Sequence, residues 1–408
     1  MKKRIEKLYD IMDKNDINCS VIAKPENIYY FSGFYPTQIS FAIIPSKGDP
    51  KILVTPIDSK GAEEKSIFEI IEVKSEIFWK AKSNIEKSQR FTEGKISFLK
   101  AFLKKLSSFK KCIGIEEDFL SIRTYKNLGI HLKRYKDISS SIIKLRSIKD
   151  NGEIENIKKA IKISEKGLRD VADLIQAGKT EEEIASEIDY ATKKHGSHKT
   201  HILQVAAGKN SSKPHWRASN SAIKIGEPFI IDFCIDSNRY CSDISRTFYL
   251  GEPPKEFENI CNALLDAQNE GIKSARVGEK ISKVDDSVRK ILEEYGYNKY
   301  FIHPTGHGIG LEIHEYPTIA PVERNNVSPE DFIRINFEGL NLEILKDFMK
   351  LTEDDEDGGE VLKENMVITI EPGIYLENFG VRVEDIVLVK KKPEVLSSFA
   401  KFPVLSPL

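Results

Sequence analysis

Apolar positions recur at helical spacing from Arg4 to Lys14 and then crowd into Cys19 to Ala23, which predicts a helix followed by a strand. The aromatic segment Ile28-Tyr29-Tyr30-Phe31 comes next. Short apolar runs at 41–45 and 51–55, separated by the turn signal Ser46-Lys47-Gly48-Asp49-Pro50, predict two more strands. A Lys- and Glu-rich stretch over 85–106 reads as a surface helix, and 111–116 returns to strand. Residues 1–140 therefore read as an α/β domain. From Ser141 the texture changes. Ile154, Ile157, Ile161, Leu168 and Val171 follow a helical period that ends near Gly178, with Asp150-Asn151 and Glu153 supplying its capped, acidic start. Beyond Ile202 the chain is rich in strands and turns, broken by helices near 256–276 and 284–295. Residues 141–408 thus form a second, larger domain.

Charge changes this picture only by exclusion. The chain of 408 residues has 62 Lys+Arg against 63 Asp+Glu, a formal net charge of −1. It lacks the basic excess that a nucleic-acid or membrane-surface partner would need. Met1-Lys2-Lys3-Arg4 is followed by no apolar signal-peptide core, and no window approaches the length of a membrane span. The 5 cysteines are scattered without a C-x-x-C pair, as expected of reduced thiols in a cytoplasm. Cytoplasmic localisation is the expectation.

Three partial motifs lead nowhere. Gly178-Lys179-Thr180 has Asp173 where a phosphate-binding loop needs its first glycine, and reads instead as a helix stop followed by a Thr180 cap over Glu181-Glu182-Glu183. His314-Glu315-Tyr316-Pro317-Thr318 lacks the second histidine of a zinc-protease helix. Gly306-His307-Gly308-Ile309-Gly310 spaces its glycines wrongly for a dinucleotide.

Carboxylates in apolar strands carry the chemistry. In Ile230-Ile231-Asp232-Phe233-Cys234-Ile235-Asp236-Ser237-Asn238-Arg239-Tyr240-Cys241-Ser242-Asp243, a two-residue loop at Ser237-Asn238 would set Asp232 directly opposite Asp243. Such like charges destabilise a sheet unless cations compensate them. Glu371, in Ile370-Glu371-Pro372-Gly373, and Glu384, in Val381-Arg382-Val383-Glu384, also sit among residues that read as buried strand. Between the pairs lies His303-Pro304-Thr305-Gly306-His307-Gly308, whose glycines permit close backbone approach beside a histidine. Four carboxylates balance two divalent cations, and an Asp, Asp, His, Glu, Glu set suits a pair of metals with an activated water.

The order and spacing of these residues resemble the pita-bread metallopeptidases, the superfamily of methionine aminopeptidase, aminopeptidase P, prolidase and creatinase. Pro25-Glu26-Asn27-Ile28-Tyr29-Tyr30-Phe31-Ser32-Gly33-Phe34 is similar to the N-terminal domain of the prolidase, aminopeptidase P and creatinase branch, and Leu145-Arg146-Ser147-Ile148-Lys149 to its linker. Methionine aminopeptidases generally lack that domain, and creatinases lack the full ligand set. The resemblance implies an α+β pita-bread catalytic domain behind a smaller α/β domain. Its activity would be that of an Xaa-Pro dipeptidase or Xaa-Pro aminopeptidase, acting on peptides with proline in the second position. A homodimer is implied too.

By the same resemblance Asp232 binds one metal, Asp243 and Glu384 bridge both, and His307 and Glu371 complete the second site. His215 of Lys213-Pro214-His215 and His314 face substrate, while Tyr375 and Arg382 hold Asp232. A metal-bridged hydroxide would attack the carbonyl before proline, Glu371 would pass the proton to the leaving nitrogen, and His215 and His314 would stabilise the intermediate. Carboxylate-rich ligation favours manganese, with cobalt, zinc and iron also fitting. The alternatives are an enzyme on the same scaffold with a non-peptide substrate, and a non-catalytic binding protein.

Three features depart from the family pattern: Cys234 stands where glycine is common, His195, His198 and His201 cluster where relatives have apolar and small residues, and residues near 320–360 look inserted. Cys234 reads as a buried, inert thiol, and the histidines as exposed or hydrogen-bonded. In the inserted stretch Leu340, Leu342, Leu345 and Met349 suggest an apolar helix face, while the acidic run at 353–357 reads as a solvated loop.

Overall fold

Helix α1 (Lys2–Lys14) buries Ile5, Leu8 and Met12, the stripe its sequence period lays out. The computed structural model describes residues 1–72, 112–122, 135–321 and 360–406. The surface helix expected over 85–106, the insertion near 320–360 and its acidic run lie largely outside the described residues. Two units divide at Arg146 and Ser147, a little beyond the boundary read near residue 140.

The first unit is one mixed sheet with helices. After α1 come β1 (Ile17–Ile22), α2 (Pro25–Ser32), β2 (Phe41–Pro45), β3 (Lys51–Val54), α3 (Pro56–Lys65), β4 (Glu69–Glu72), β5 (Cys112–Ile115), β6 (Tyr135–Asp137) and α4 (Ser139–Ser147). The strand order is β4-β3-β2-β1-β5-β6, with β1 antiparallel to β2 and parallel to β5. The aromatic segment 28–31 lies in α2, which Pro25 opens and Gly33, at φ 83°, terminates.

In the second unit, α5 (Asn151–Ala172) and α6 (Glu181–Lys194) both begin with a capping box, Asp150 with Glu153 and Thr180 with Glu183. The first of these helices stops short of Gly178, whose N–H turns away to the carbonyl of Ile223. The two helices pack together, and the hairpin of β8 (Pro228–Ser237) and β9 (Tyr240–Leu250) is covered by α5. With β7 (Lys199–Ala207) and β17 (Val404–Leu405) that hairpin forms a sheet in the order β17-β9-β8-β7. Ile188, Val205, Ile231, Phe233 and Phe248 fill the space between helices and sheet.

A second helix pair, α7 (Lys255–Ser274) and α8 (Ile281–Glu294), shares an apolar cluster with Ile374, Val381 and Val383. Those three belong to the small hairpin of β13 (Gly373–Tyr375) and β14 (Gly380–Arg382) and the residue after it. The remaining sheet, β11-β10-β12-β15-β16, contains β10 (Gly306–Gly308), β11 (Glu315–Ile319), β12 (Val367–Ile370), β15 (Asp385–Leu388) and β16 (Glu394–Val395). The candidate ligands therefore lie in or directly beside covered strands, Asp232 and Asp243 on the long hairpin and Glu371 and Glu384 next to strand ends.

Phe229, on the strand that carries Asp232, is fully buried and stacks on Phe248 across the hairpin with ring centroids 5.3 Å apart. Phe229→Ala should lower the unfolding free energy by about 3–5 kcal/mol in urea melts, the cost of an aromatic-sized core cavity.

Candidate metal centre

Asp232 lies on β8 and Asp243 on β9, but in a register that differs from the sequence expectation. The loop is Asn238-Arg239, both at positive φ (52° and 71°), so Ser237 pairs with Tyr240. A two-residue hairpin with the right strand twist needs this conformation at both positions, and Asn adopts it more readily than Ser. Asp232 consequently faces Ser245, and Asp243 faces Cys234. The two aspartates are diagonal neighbours on one face rather than a direct pair.

His307 sits in the middle of β10, and both flanking glycines are obligatory. A Cβ on Gly306 would meet the Thr369 carbonyl oxygen at 2.0 Å, and one on Gly308 the Tyr316 carbonyl oxygen at 2.3 Å. The His307 N–H donates to Thr369 Oγ1 at 3.0 Å, and the Glu371 N–H to the Thr305 carbonyl at 2.8 Å, so histidine and glutamate are fixed through one patch of backbone. Glu371 Oε1 lies 3.3 Å from His307 Nε2, and Asp243 Oδ2 lies 3.9 Å from the same nitrogen. One donor atom from each of Asp243, His307 and Glu384 falls within 4.8 Å of the others.

Glu384 is positioned by its neighbour across the sheet. Its N–H donates to the Ser245 carbonyl at 3.1 Å, and Ser245 Oγ donates to Glu384 Oε2 at 3.1 Å. Arg382 joins this corner to the others. Its Nε donates to Ser245 Oγ at 3.0 Å, its Nη1 to Tyr375 Oη at 2.8 Å and to the Pro214 carbonyl at 3.1 Å, and its Nη2 to Asp232. On the far side Gln268, 1% exposed on α7, donates its amide to the carbonyls of Ile370 at 3.0 Å and Val383 at 3.4 Å. These are the residues immediately before Glu371 and Glu384. One side chain thereby sets the spacing of two carboxylate-bearing strands.

The electrostatics follow from burial. It raises the carboxyls of Asp243 and Glu384 well above the usual carboxylate range, and the neighbouring carboxylates add to the rise. Glu371 is pushed up to about 8, again by burial first, with Asp232 adding and Arg382 opposing. Burial also drives His307 down to about 4, helped by His314. A neutral His307 has one proton, and Nδ1, 3.0 Å from the Gly308 carbonyl, is where it can be donated. Nε2 then presents a lone pair to Glu371 at 3.3 Å. Two acceptors facing each other require a proton or a cation between them. Four carboxylates around one unprotonated imidazole nitrogen have the donor chemistry for divalent cations, and Asp232, Asp243, His307, Glu371 and Glu384 fit such ions.

Outside this cluster, His215 and His314 are exposed, and each acts electrostatically on neighbouring histidines of the site. The rings of His314 and His307 meet edge to face at 4.4 Å. His303 belongs to the same histidine- and glycine-containing segment as His307, and the sequence pattern alone assigns it no role. Its Nε2 lies 2.9 Å from Tyr375 Oη, and burial, with Arg382, lowers it to about 4. Its position four residues before His307 was the available signal. Cys234 is buried opposite Asp243 across the hairpin, and burial together with Cys241 and Asp243 pushes its thiol far up, which leaves it protonated. His195 and His201 pair with Asp170 and Asp236, at 2.9 and 3.1 Å, and His198 is exposed.

Residues 155–391 match Metallopeptidase family M24, and residues 4–148 match the Creatinase/Prolidase N-terminal domain. The chain belongs to metallopeptidase family M24. The Xaa-Pro dipeptidase of Pyrococcus furiosus is 34% identical over 394 residues, covering 95% of each chain. Among solved structures, the prolidase of Pyrococcus horikoshii OT3 superposes with a TM-score of 0.79 at 29% identity, covering 98% of this chain and 99% of the other. An X-Pro aminopeptidase from Thermotoga maritima gives 0.76 at 29%, covering 98% and 100%.

Membership of the M24 family makes this chain a peptidase of the hydrolase class and supports divalent-metal dependence. The raised carboxyls then have a measurable consequence. Glu371 binds a proton in the folded, metal-free state up to about 8, against 4.5 for an ordinary glutamate, so its contribution is present below about 4.5 and lost as pH rises through 8. The melting temperature of chelator-treated protein should fall across that range, and saturating divalent metal should remove the fall. Melting curves that track each other with and without metal at every pH would mean that the site holds no ion.

Proposed function

We propose that this M24 peptidase hydrolyses the bond before proline in Xaa-Pro dipeptides, using divalent metals held by Asp232, Asp243, His307, Glu371 and Glu384. The observation that carries the reading is the 3.3 Å approach of His307 Nε2 to Glu371 Oε1 within a group of buried carboxylates. Relatives named Xaa-Pro dipeptidase, similar along nearly their whole length, support the substrate class. When bound, the metal pair would supply an acidified water and a polarised carbonyl.

The chain's own residues would do the rest. Glu371 accepts the proton of the attacking water and delivers it to the proline nitrogen, which as a tertiary amide has no N–H and leaves only when protonated. His215 and His314 donate hydrogen bonds to the carbonyl oxygen as negative charge develops on it. Arg382 and Tyr375 keep Asp232 aimed, the kind of outer support that typically matters 10–100-fold. Asp243 and Glu384 would hold the ions together with His307, and manganese is part of this proposal because it suits a donor set of carboxylates and imidazole. So are a homodimer and a cytoplasmic location; five free cysteines agree with the latter. No helix among the described residues is long and apolar enough to cross a membrane.

Glu371→Gln should retain metal by elemental analysis yet lose about 10²–10⁴-fold in kcat, the usual worth of a positioned proton carrier. Near-normal turnover in metal-replete Glu371→Gln would sink the assignment. Substrate length is read directly by comparing Xaa-Pro with Xaa-Pro-Xaa peptides under defined manganese, cobalt and zinc loading. The dipeptides should be cut faster; the reverse order would make the chain an Xaa-Pro aminopeptidase, and failure on both would remove proline from the proposal.

A further inference from the structure

Glu181 is the first residue of α6 and is fully buried. Its carboxylate nevertheless accepts five hydrogen bonds, all from the segment that carries His215. Oε1 accepts from the Ala207 N–H at 2.8 Å and from Asn210 Nδ2 at 2.9 Å. Oε2 accepts from Trp216 Nε1 at 2.9 Å and from the N–H and Oγ of Ser219 at 2.9 and 2.7 Å. Both oxygens are saturated, and a buried acceptor of this kind strongly favours one loop conformation. The partners span residues 207 to 219, so the whole loop is folded around one carboxylate.

His215 itself is exposed, and its direction is set by what holds the residues beside it. On one side the Pro214 carbonyl accepts from Arg382 Nη1 at 3.1 Å, which ties the loop to the carboxylate cluster. On the other, the Trp216 indole is fixed to Glu181, with Lys213 Nζ 3.9 Å above its ring. We propose that Glu181 and Trp216 are positioning residues that, together with Arg382, clamp the backbone on both sides of His215 and so aim its imidazole at the substrate carbonyl oxygen. This rests on the proposed role of His215. Neither residue touches substrate; both act through the histidine.

Trp216→Phe keeps an aromatic side chain but removes the pyrrole part of the indole with its N–H, so it deletes the bond to Glu181 while leaving most of the site filled. On a cleavable Xaa-Pro dipeptide it should lower kcat about 10-fold with KM little changed, because an oxyanion contact is made chiefly in the transition state. In a His215→Ala background the same change should cost less than 2-fold, since residues acting through one another are not additive. Equal losses in both backgrounds, or an unchanged kcat, would overturn the inference. Loop order supplies a readout independent of activity. Trypsin should cut after Arg217, which is exposed, at least several-fold faster in Trp216→Phe than in the parent at the same melting temperature. Glu181→Gln should show the same acceleration, because an amide oxygen replaces only one of two acceptors. If the parent protein cleaves no Xaa-Pro peptide, the proposed substrate is wrong; the trypsin comparison still decides whether the clamp exists, and equal cleavage rates would refute it.

Discussion

The guanidinium of Arg382 is the interaction on which the site depends. Four carboxylates converge in a region that water barely reaches, and burial and mutual repulsion oppose the charge of three of them. Arg382 is the fixed cation bonded to that group among the described residues. Burial disfavours its charge, yet Tyr375, Asp232 and Glu371 more than compensate and hold it ionised. Its planar fork reaches Asp232, Tyr375, Ser245 and the Pro214 carbonyl at once, which a lysine's point charge could not do. One positive charge cannot balance four ionised carboxylates, so without further cations the three with raised proton affinity hold their protons. The fold therefore presents a preorganised demand for further cations, and the metal chemistry of the M24 family answers it.

Much of this was legible in the sequence because it is written in short-range patterns. Ile154 to Val171 fixed the face of α5, and Asp150 and Thr180 marked two helix starts that the structure reproduces as capping boxes. Carboxylates embedded in Val- and Ile-rich strands announced themselves by their cost. Gly306 and Gly308 were read as sites of close backbone approach, and in the fold a Cβ at either would collide with a carbonyl. What failed was the hairpin register. The difference between a Ser237-Asn238 and an Asn238-Arg239 loop is one residue, and it moves Asp243 from facing Asp232 to facing Cys234. Arg at positive φ is an unfavourable choice locally, so the turn is imposed by the pairing of two long buried strands rather than by its own residues.

The residues that sequence reasoning passed over share a physical character. Gln268, Glu181 and Ser245 bond to backbone or to groups far along the chain, Gln268 to carbonyls more than a hundred positions away. No periodicity or spacing encodes such a partnership. Gln268 looks like one more polar position in a helix, and Glu181 like an ordinary acidic first turn. Only folding reveals that each is buried and that its hydrogen bonds set the distance between functional segments. Buried polar groups of this sort are costly unless satisfied, so they restrict the chain to the single arrangement that satisfies them.

A division of labour follows from where the functional groups sit. The five candidate ligands lie in or beside covered strands, because ions tolerate little error in donor position. His215 and His314, the residues proposed to meet substrate, are exposed. Exposure would leave such histidines poorly aimed if their backbones were free, and a wandering donor stabilises a developing oxyanion weakly. The segment bearing His215 is not free: a buried carboxylate gathers it at five points, and the guanidinium that orients Asp232 also holds the Pro214 carbonyl. Arg382 thus couples the geometry of the ligand cluster to the segment that carries His215. A displacement of Asp232 would be felt at His215 through a single side chain.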